Sequence, residues 1–549
     1  MTATTSSKVK QRTSKPSPES SRNLLLTVAF FEGAAVMVIE LLGAKIIAPF
    51  YGTSLYVWAS VLGVTLTALA TGYYLGGWLS QKYRTEYPLF LVLGLGAVLT
   101  VLAPQIAPSI MVATSDLGVR AGSFIAVLLY LLPPVVCMGT VSPLITQLIN
   151  SSKDKAGRSA GTVYAVSTVG GILATFLAGF YLIPELGITL TSWLVAGVLF
   201  VIAVLGLVRQ KRIVPVGALL MGGLIALLLS AQSPTTDSAI TVQYQSSGIL
   251  GEWTVVDQVV AYDNGEPLST RQLLLNGVDQ TYTEVGNEPV SMWLYPHKIA
   301  ALAGVKPAGS KALLLGMGGG SIAHNLLQLG FDLDIVELDE RIPYIAEKWF
   351  GYDPNSANLV IDDARHFVNE TTEKYDLVIF DLVSGEVQPW HVFTEEGLQD
   401  VREVLAEDAL VIVNFQGLFD MENPELSRGP RSVLKTFQSV NYDMFISQRE
   451  EDGTDLSSDL LMYGTPSGGL DFETALQQKL RYDDLFPFEE YTGDDFTPVP
   501  DVQLQDALVL TDDKPNLELL NAPTILDWRK NKMKFTVEGM LKKGLPIYY

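Results

Sequence analysis

The stretch Leu313–Asp339, LLLGMGGGSIAHNLLQLGFDLDIVELD, decides the fold of the second half of this chain. It begins with an apolar run typical of a buried parallel strand, and the glycines that follow allow a sharp turn and a close approach to a ligand. A helix is predicted from Ser321, with its free amides facing that turn. Glu337 and Asp339 close the next strand about 20 residues further on, where an acid can accept hydrogen bonds from ribose hydroxyls. The stretch therefore predicts a nucleoside-binding βαβ unit.

Strands and helices continue to alternate after this unit, which predicts a doubly wound parallel sheet. Residues 239–283 instead alternate apolar and polar side chains, with turn signals at 263–265 (Asp-Asn-Gly) and 276–277 (Asn-Gly), so we expect β-hairpins there. A helix that begins near residue 290 carries Tyr295 and His297. The predicted strands of the parallel sheet are 312–316, 333–338, 358–361, 375–381 and 409–415.

Acidic residues also follow the next two predicted strands, at the sheet edge where such folds bind their ligands. Asp362 and Asp363 follow the third strand, and Asp381 follows the fourth. A carboxylate after the third strand can accept a hydrogen bond from an adenine amino group. Together with Glu337 and the glycine turn, these acids indicate an adenosyl ligand. The turn has no phosphate-binding lysine, which argues against a nucleoside triphosphate.

The first part of the chain has the composition of a membrane protein. Residues 1–22 are polar and predict a disordered tail, whereas residues 23–232 predict a transmembrane bundle of about seven helices. Pro133 and Pro134 should kink the fourth of these helices. The apolar runs long enough to span a bilayer are 24–48, 57–79, 88–113, 122–149, 160–183, 189–208 and 213–231.

Basic residues fall on alternate connections between these runs. They lie before the first run and after the second, fourth and sixth, and Arg120 is the exception. The positive-inside rule then predicts a cytoplasmic N-terminus in the plasma (inner) membrane. Seven spans place the soluble domain outside the cytoplasm. A soluble domain outside the cytoplasm conflicts with an adenosyl ligand, because adenosyl cofactors are made in the cytoplasm.

Charge and residue usage exclude several kinds of site. Residues 1–238 carry a net charge of +7 and the remainder −29, which gives −22 for the chain. Nucleic acid is therefore not expected as a partner of the acidic part, and a cationic small molecule is attracted to it, although acidic surfaces also serve solubility alone. The single cysteine, Cys137, excludes a disulfide within one chain. The four histidines show no metal-binding spacing, so no metal is expected.

The segment from about 245 to 465 resembles the spermidine synthase (polyamine aminopropyltransferase) family, in its form fused to membrane-spanning helices. The resemblance of this segment includes VELDE, DDARHF and the stretch from Asp381 to FTEEGL, whereas the apolar spans and the late TDDKPNLEL at 511–519 resemble the fused membrane versions. It implies a class I methyltransferase-like fold that transfers the aminopropyl group of decarboxylated S-adenosylmethionine to a diamine. Tyr295 and His297 lie near the family's Tyr-His pair but are separated by Pro296. The adenosyl site implied by the resemblance comprises Gln280, Gly316, Gly318, Gly320, Glu337, Asp363 and Asp381, to which we add Asp339, Asp362, Tyr295 and His297 as candidates.

Two positions depart from the family pattern where amines are bound. The family's glycine turn contains an Asp where this chain has Gly319, and its second Asp after the fourth strand is replaced by Ser384. A protonated amine must lose a proton before it attacks, and a carboxylate can hold the cation and accept that proton. Glu386 could substitute, or it could be a solvated loop residue. The predicted catalytic residues are therefore Asp381, Ser384 and Glu386.

Three functions follow from these residues. The first is a membrane-anchored aminopropyltransferase that uses S-adenosylmethionine or its decarboxylated form with a polyamine-like acceptor. The second is another S-adenosylmethionine enzyme, a methyltransferase or lyase, and the third is a transporter or sensor without turnover. The expected partners are the acceptor and the lipid bilayer, with a homodimer as a possible assembly. The predicted organisation is a tail at 1–22, a bundle at 23–232, a small β-domain at 239–290, an S-adenosyl-binding domain at 291–523 and a basic amphipathic tail at 524–549.

Overall fold

The computed structural model describes most of the chain. Residues 1–17 of the predicted N-terminal tail lie outside the described residues. The predicted turn at 263–265 and the site candidates Ser384 and Glu386 also lie outside them. The basic tail is described only to Lys532 and at Tyr548. The described residues are 18–149, 156–230, 240–261, 267–383, 388–419, 423–447, 459–467, 497–498, 501–514, 516–532 and 548.

Apolar helices dominate the described residues up to residue 230. Five continuous helical segments are long and apolar enough to cross a membrane, and Ile213–Leu228 is a shorter apolar helix. The helices are α1 Pro18–Tyr51, α2 Leu55–Lys82, α3 Tyr87–Thr114, α4 Gly118–Tyr130, α5 Leu132–Ile149, α6 Ala156–Leu177, α7 Ile183–Arg209 and α8 Ile213–Ser230.

The seven predicted runs are distributed over these five segments and the shorter helix. The run 122–149 is divided at Leu131, and Pro133 and Pro134 lie in the first turn of α5. Proline is tolerated there because first-turn amides have no partner within the helix. The runs 160–183 and 189–208 belong to one continuous segment that bends at Gly187, whose φ is 73°.

The chain divides into two compact units, and the second one holds more than the predicted soluble domain. It comprises Ala44–Ser60, Ala107–Ala126 and Gln232–Tyr549. The connections after the first and third apolar runs therefore belong to the same unit as the sheets. Lys45 Nζ, for example, donates a hydrogen bond to the carbonyl of Gly248 at 3.0 Å.

The predicted β-hairpins form a five-stranded antiparallel sheet in the order β1-β2-β3-β4-β5. Asn276 and Gly277 both have positive φ, 49° and 76°, in the two-residue turn between β3 and β4. Such a turn matches the twist of the strands that it joins. The strands are β1 Ile240–Gly248, β2 Gly251–Ala261, β3 Pro267–Leu275, β4 Val278–Glu284 and β5 Asn287–Ser291.

An eight-stranded sheet follows, with the order β13-β11-β12-β10-β9-β6-β7-β8. Its strands β10, β9, β6, β7 and β8 are parallel, which confirms the predicted doubly wound sheet. The strands are β6 Lys311–Leu315, β7 Asp332–Glu337, β8 Asn358–Ile361, β9 Tyr375–Phe380, β10 Leu405–Gln416, β11 Tyr442–Ser447, β12 Asp459–Pro466 and β13 Thr497–Pro498.

The order of this sheet reverses between β6 and β9, so their carboxyl ends border the crevice where such folds bind ligands. Buried aliphatic and aromatic side chains fill both faces of the sheet. The helices around it are α9 Tyr295–Ala303, α10 Ser321–Gln328, α11 Ile342–Phe350, α12 Ala364–Glu370, α13 Glu395–Glu403 and α14 Arg428–Ser439.

The late segment TDDKPNLEL leads into a last helix, α15 Leu517–Lys532, which runs through the predicted domain boundary at 523. That boundary is therefore misplaced, because it would cut a helix. Asp512 accepts hydrogen bonds from both terminal nitrogens of Arg365, at 2.7 and 2.9 Å, and from Thr394 Oγ1 at 2.7 Å. These contacts tie the start of the C-terminal segment to the loops of the large sheet.

Candidate functional site

The glycine turn after β6 has the backbone that its sequence predicts. Gly316, Gly318 and Gly320 have φ of 88°, 53° and 91°, a region that favours glycine. A Cβ atom on Gly316 would lie 2.2 Å from the carbonyl oxygen of Asp381, so a side chain would not fit. The turn therefore passes directly beside the end of β9.

Glu337 closes β7 with its carboxylate against the same turn. Its two oxygens accept hydrogen bonds from the amides of Met317, at 3.0 Å, and Asp339, at 2.9 Å. Burial raises the pKa of this carboxyl group, and the two amides oppose that shift. A carboxylate has about four lone-pair positions, so both oxygens can still accept from ribose hydroxyls.

Asp339 has a different role from the predicted one. Its carboxylate is 5% exposed and accepts hydrogen bonds from Trp253 Nε1 at 2.7 Å and from Arg341 Nε at 2.9 Å and Nη2 at 2.6 Å. Burial raises its pKa, but the bonds from Arg341 and Trp253 outweigh burial and lower it. Arg341 also donates to the carbonyls of Ser246 and Gly251. We therefore remove Asp339 from the candidate ligand set, since it joins the small sheet to the large one.

Asp362 and Asp363 follow β8, as predicted. Asp363 caps α12 by accepting from the amides of Arg365 and His366, and its second oxygen lies 3.1 Å from His391 Nε2. Asp362 lies 2.7 Å from His366 Nδ1. This bond lowers the pKa of Asp362 and raises the pKa of His366. Both carboxylates remain candidates for the adenine amino group, although each already has a protein partner.

Asp381 lies at the carboxyl end of β9, beside the glycine turn. Burial raises its pKa to about 6, against a hydrogen bond from Asn414 Nδ2 to its Oδ1 that lowers it. The parallel register that pairs Val413 with Phe380 brings Asn414 next to this carboxylate. Asp381 can therefore change its protonation state close to neutral pH.

A small pocket brings several predicted residues together. Gln280, Tyr295, Gly318 and Asp381 all line it, together with Trp293. Its walls come from the small sheet, the start of α9, the glycine turn and the end of β9. Aromatic rings, an amide and a partly buried carboxylate around one cavity suit an organic ligand that carries a positive charge.

His297 lies behind this pocket. Its ring is 1% exposed, and its Nε2 lies 2.8 Å from the carbonyl of Ser291. Burial lowers its pKa, against the bond to Ser291. Its contacts support the chain that carries the pocket, so we assign it a positioning role rather than ligand contact.

Gly319 occupies the position where the family has an acid. Its amide donates to Thr281 Oγ1 at 2.8 Å, and a Cβ atom here would lie 2.6 Å from Thr281 Cγ2. The threonine therefore occupies the space that a side chain at position 319 would need. Ser384 and Glu386 lie outside the described residues and stay predictions.

Sequence reasoning missed Thr281, His391 and Asn414. Thr281 follows Gln280 on β4, and Asn414 is a polar residue within an apolar strand, a pattern that can signal a buried hydrogen bond. In the part of the chain that the structure describes, no group of three or more His, Cys, Asp or Glu could hold a metal ion.

Comparisons with known proteins point to the family that the sequence resembles. Residues 292–446 match the family described as Spermine/spermidine synthase domain. The polyamine aminopropyltransferase of Vibrio vulnificus is 31% identical over 128 residues, 22% of this chain and 43% of that protein. The N-terminal histidine N-methyltransferase of Emericella nidulans is 30% identical over 135 residues, 24% of each chain. This chain thus spans less than half the length of both relatives.

This chain is also similar to a crystal structure of a probable spermidine synthase from Corynebacterium glutamicum, at 17% identity and a TM-score of 0.37. The match covers 50% of this chain and 95% of that chain. The match to the family model agrees with the resemblance expected from the sequence, and it includes the glycine turn, Glu337 and Asp381. Residues 292–446 are thus similar to a spermine/spermidine synthase domain, and a series of apolar helices precedes them in this chain.

Proposed function

We propose that this protein is a membrane-anchored aminopropyltransferase. It moves the aminopropyl group of decarboxylated S-adenosylmethionine to a polyamine-like amine. The observation that carries the proposal is the pocket in which the glycine turn meets Asp381, a partly buried carboxylate whose pKa is raised by burial to about 6. A neutral amine nitrogen attacks the aminopropyl carbon bound to the sulfonium, the carbon–sulfur bond breaks, and methylthioadenosine leaves.

Each described residue has a definite part in this reaction. The Glu337 carboxylate holds the ribose hydroxyls, and Asp363 or Asp362 accepts from the adenine amino group. Asp381 holds the incoming ammonium and accepts the proton that it must lose before attack. Gln280 and Tyr295 line the pocket in which the reacting groups meet.

Methyl transfer from S-adenosylmethionine is the second candidate. The observation that favours it is Thr281, which fills the space beside Gly319 where the family places an amine-binding acid. One relative is named as a methyltransferase. The two reactions release different nucleosides, so one assay distinguishes them.

The first prediction concerns that product. The full chain in detergent, incubated with decarboxylated S-adenosylmethionine and spermidine, should release methylthioadenosine only when the amine is present. The Asp381→Asn variant should lose most of this activity. Release of methylthioadenosine without amine would indicate a lyase, and S-adenosylhomocysteine from S-adenosylmethionine would indicate methyl transfer.

The second prediction isolates donor binding. Replacing Glu337 by alanine removes the acceptor of the ribose hydroxyls, and bonds to a charged group contribute about 1.5–3 kcal/mol each. Calorimetry with methylthioadenosine should show an affinity lower by roughly tenfold or more. Glu347→Ala, on the exposed side of α11, is the matched control and should bind normally. Equal affinities in the two variants would contradict the ribose assignment.

The third prediction is a pH dependence. The reaction requires the ionised form of Asp381, so kcat/KM should fall below about pH 6 and level off above it, because burial raises the pKa of this carboxyl group to about 6. Asn414→Leu removes the hydrogen bond that lowers this pKa, so the acid limb should move to higher pH. An acid limb that stays in place in the variant would show that another group controls it.

We also infer that the soluble domain lies outside the cytoplasm. The unit that holds both sheets includes Ala44–Ser60 and Ala107–Ala126, the connections after the first and third apolar runs. These connections carry few basic residues, and the positive-inside rule assigns them to the outer side. Contacts such as Leu55 N with the Glu518 carboxylate, at 3.2 Å, support one common side.

The fourth prediction tests this side. A reporter that is active only outside the cytoplasm, fused after Tyr549, should be active, and the same reporter fused after Arg84 should be silent. The reverse result would place the domain in the cytoplasm, where the adenosyl donor is made. An external domain would have to receive its donor from outside or through the helices.

A further inference from the structure

The two-residue turn between β1 and β2 is apolar and exposed. It consists of Ile249 and Leu250, whose exposed fractions are 71% and 39%. Two-residue hairpin turns usually carry glycine or short polar residues, as Asn276 and Gly277 do between β3 and β4 of the same sheet. Ile249 and Leu250 break that local rule where the turn is open to its surroundings. Such a departure indicates a function for the exposed side chains.

The carbonyl groups of this turn are bonded to two cationic side chains. Lys45 Nζ donates to the carbonyl of Gly248 at 3.0 Å and to that of Ile249 at 3.4 Å. Arg341 donates to one carbonyl on each side of the turn, at 3.0 and 3.2 Å. Polar backbone groups that lack a partner are costly in an apolar phase. With these four carbonyls bonded, the turn can enter such a phase at lower cost.

The acidic residue next to the turn does not expose its charge. Glu252 is 9% exposed. Its carboxylate accepts hydrogen bonds from Gln245 Nε2 at 2.9 Å and from Ser247 Oγ at 3.3 Å. The tip of the hairpin therefore presents apolar side chains, and the charged groups beside it are held by hydrogen bonds.

Lys45 fixes the position of the turn along α1. The stretch Arg22–Tyr51 of this helix is long and apolar enough to cross a membrane. About 20 helical residues cross the hydrocarbon core of a bilayer, so a span that begins after Arg22 leaves the core near Leu42. Lys45 follows about one helical turn later, at the depth of the lipid headgroups. An α1 that spans a bilayer therefore holds the β1–β2 turn at the bilayer surface.

The start of α2 indicates the same depth. Only a short connection separates Tyr51, at the end of α1, from Leu55, at the start of α2. Trp58 lies in the first turn of α2 and is 41% exposed. Tryptophan is enriched at membrane–water interfaces, because its ring is apolar and its N–H is polar. Lys45 and Trp58 thus mark one boundary of the bilayer.

We propose that the β1–β2 turn inserts Ile249 and Leu250 into the lipid bilayer. The inference rests on the membrane anchoring in the proposed function and not on the reaction. Arg341, which holds the turn, also donates to the Asp339 carboxylate, and the Asp339 amide donates to the Glu337 carboxylate. The inserted turn therefore fixes the end of β7, where the donor is proposed to bind, relative to the membrane surface.

Spin labels test this contact directly, because the chain has a single cysteine. In a Cys137→Ala background, one nitroxide is attached at Ile249→Cys or at Leu250→Cys, in the full chain in lipid nanodiscs. Collisions of the label with oxygen, which dissolves in lipid, are compared with collisions with a polar nickel complex, which stays in water. The matched control is Val259→Cys, an apolar position of β2 that is 46% exposed. It lies roughly 26 Å along the strand from the turn.

We expect the oxygen-to-nickel ratio at positions 249 and 250 to exceed that at 259 by about tenfold, since a polar complex is excluded from apolar surroundings. Equal ratios at the three positions would overturn the proposal. Low accessibility to both reagents at 249 and 250 would also overturn it, because protein, such as a second copy of the chain, would then cover the turn.

A label at Val201→Cys tests the membrane anchoring separately. Val201 is 55% exposed on α7 and should give a high oxygen-to-nickel ratio. A high ratio at 201 with a low ratio at 249 and 250 would overturn the inserted turn and leave the anchoring intact. A low ratio at 201 would contradict the anchoring, and with it the inserted turn.

Discussion

The candidate site is built around one partly buried carboxylate, which lies where the order of the large sheet reverses. Asp381 follows β9, next to β6, and its carbonyl oxygen leaves space only for glycine at position 316. Burial raises its pKa to about 6, and Asn414 donates the hydrogen bond that partly opposes this. A cation is the natural partner for such a group. Asp381 is therefore the residue on which the proposed reaction depends most.

Segments far apart in sequence complete the surroundings of Asp381. Arg341 and Asp339 hold the β1–β2 turn against the end of β7, and Lys45 donates to the Gly248 carbonyl in the same turn. Asp512 fixes the start of the C-terminal segment on Arg365. The end of the apolar helix α1 from Ala44 onward therefore belongs to the same compact unit as the two sheets.

The sequence predicted the parallel sheet well because each strand is a local apolar run that an acid follows. It also predicted the glycine turn and the position of Glu337 at the end of β7, since both belong to one βαβ unit. It assigned Asp339 to the ligand because a strand-end acid looks the same whether it binds ribose or Arg341. The contact of Asn414 with Asp381 depends on pairing across the sheet, and that of Asp512 with Arg365 depends on a distant segment, which no local pattern contains.

The most direct measurement is an experimental structure of the full chain with methylthioadenosine and spermidine bound. Adenosine is expected over the glycine turn, with its ribose hydroxyls on the Glu337 carboxylate, and one spermidine nitrogen is expected at Asp381. Adenosine bound elsewhere, or spermidine bound away from Asp381, would contradict the proposed function.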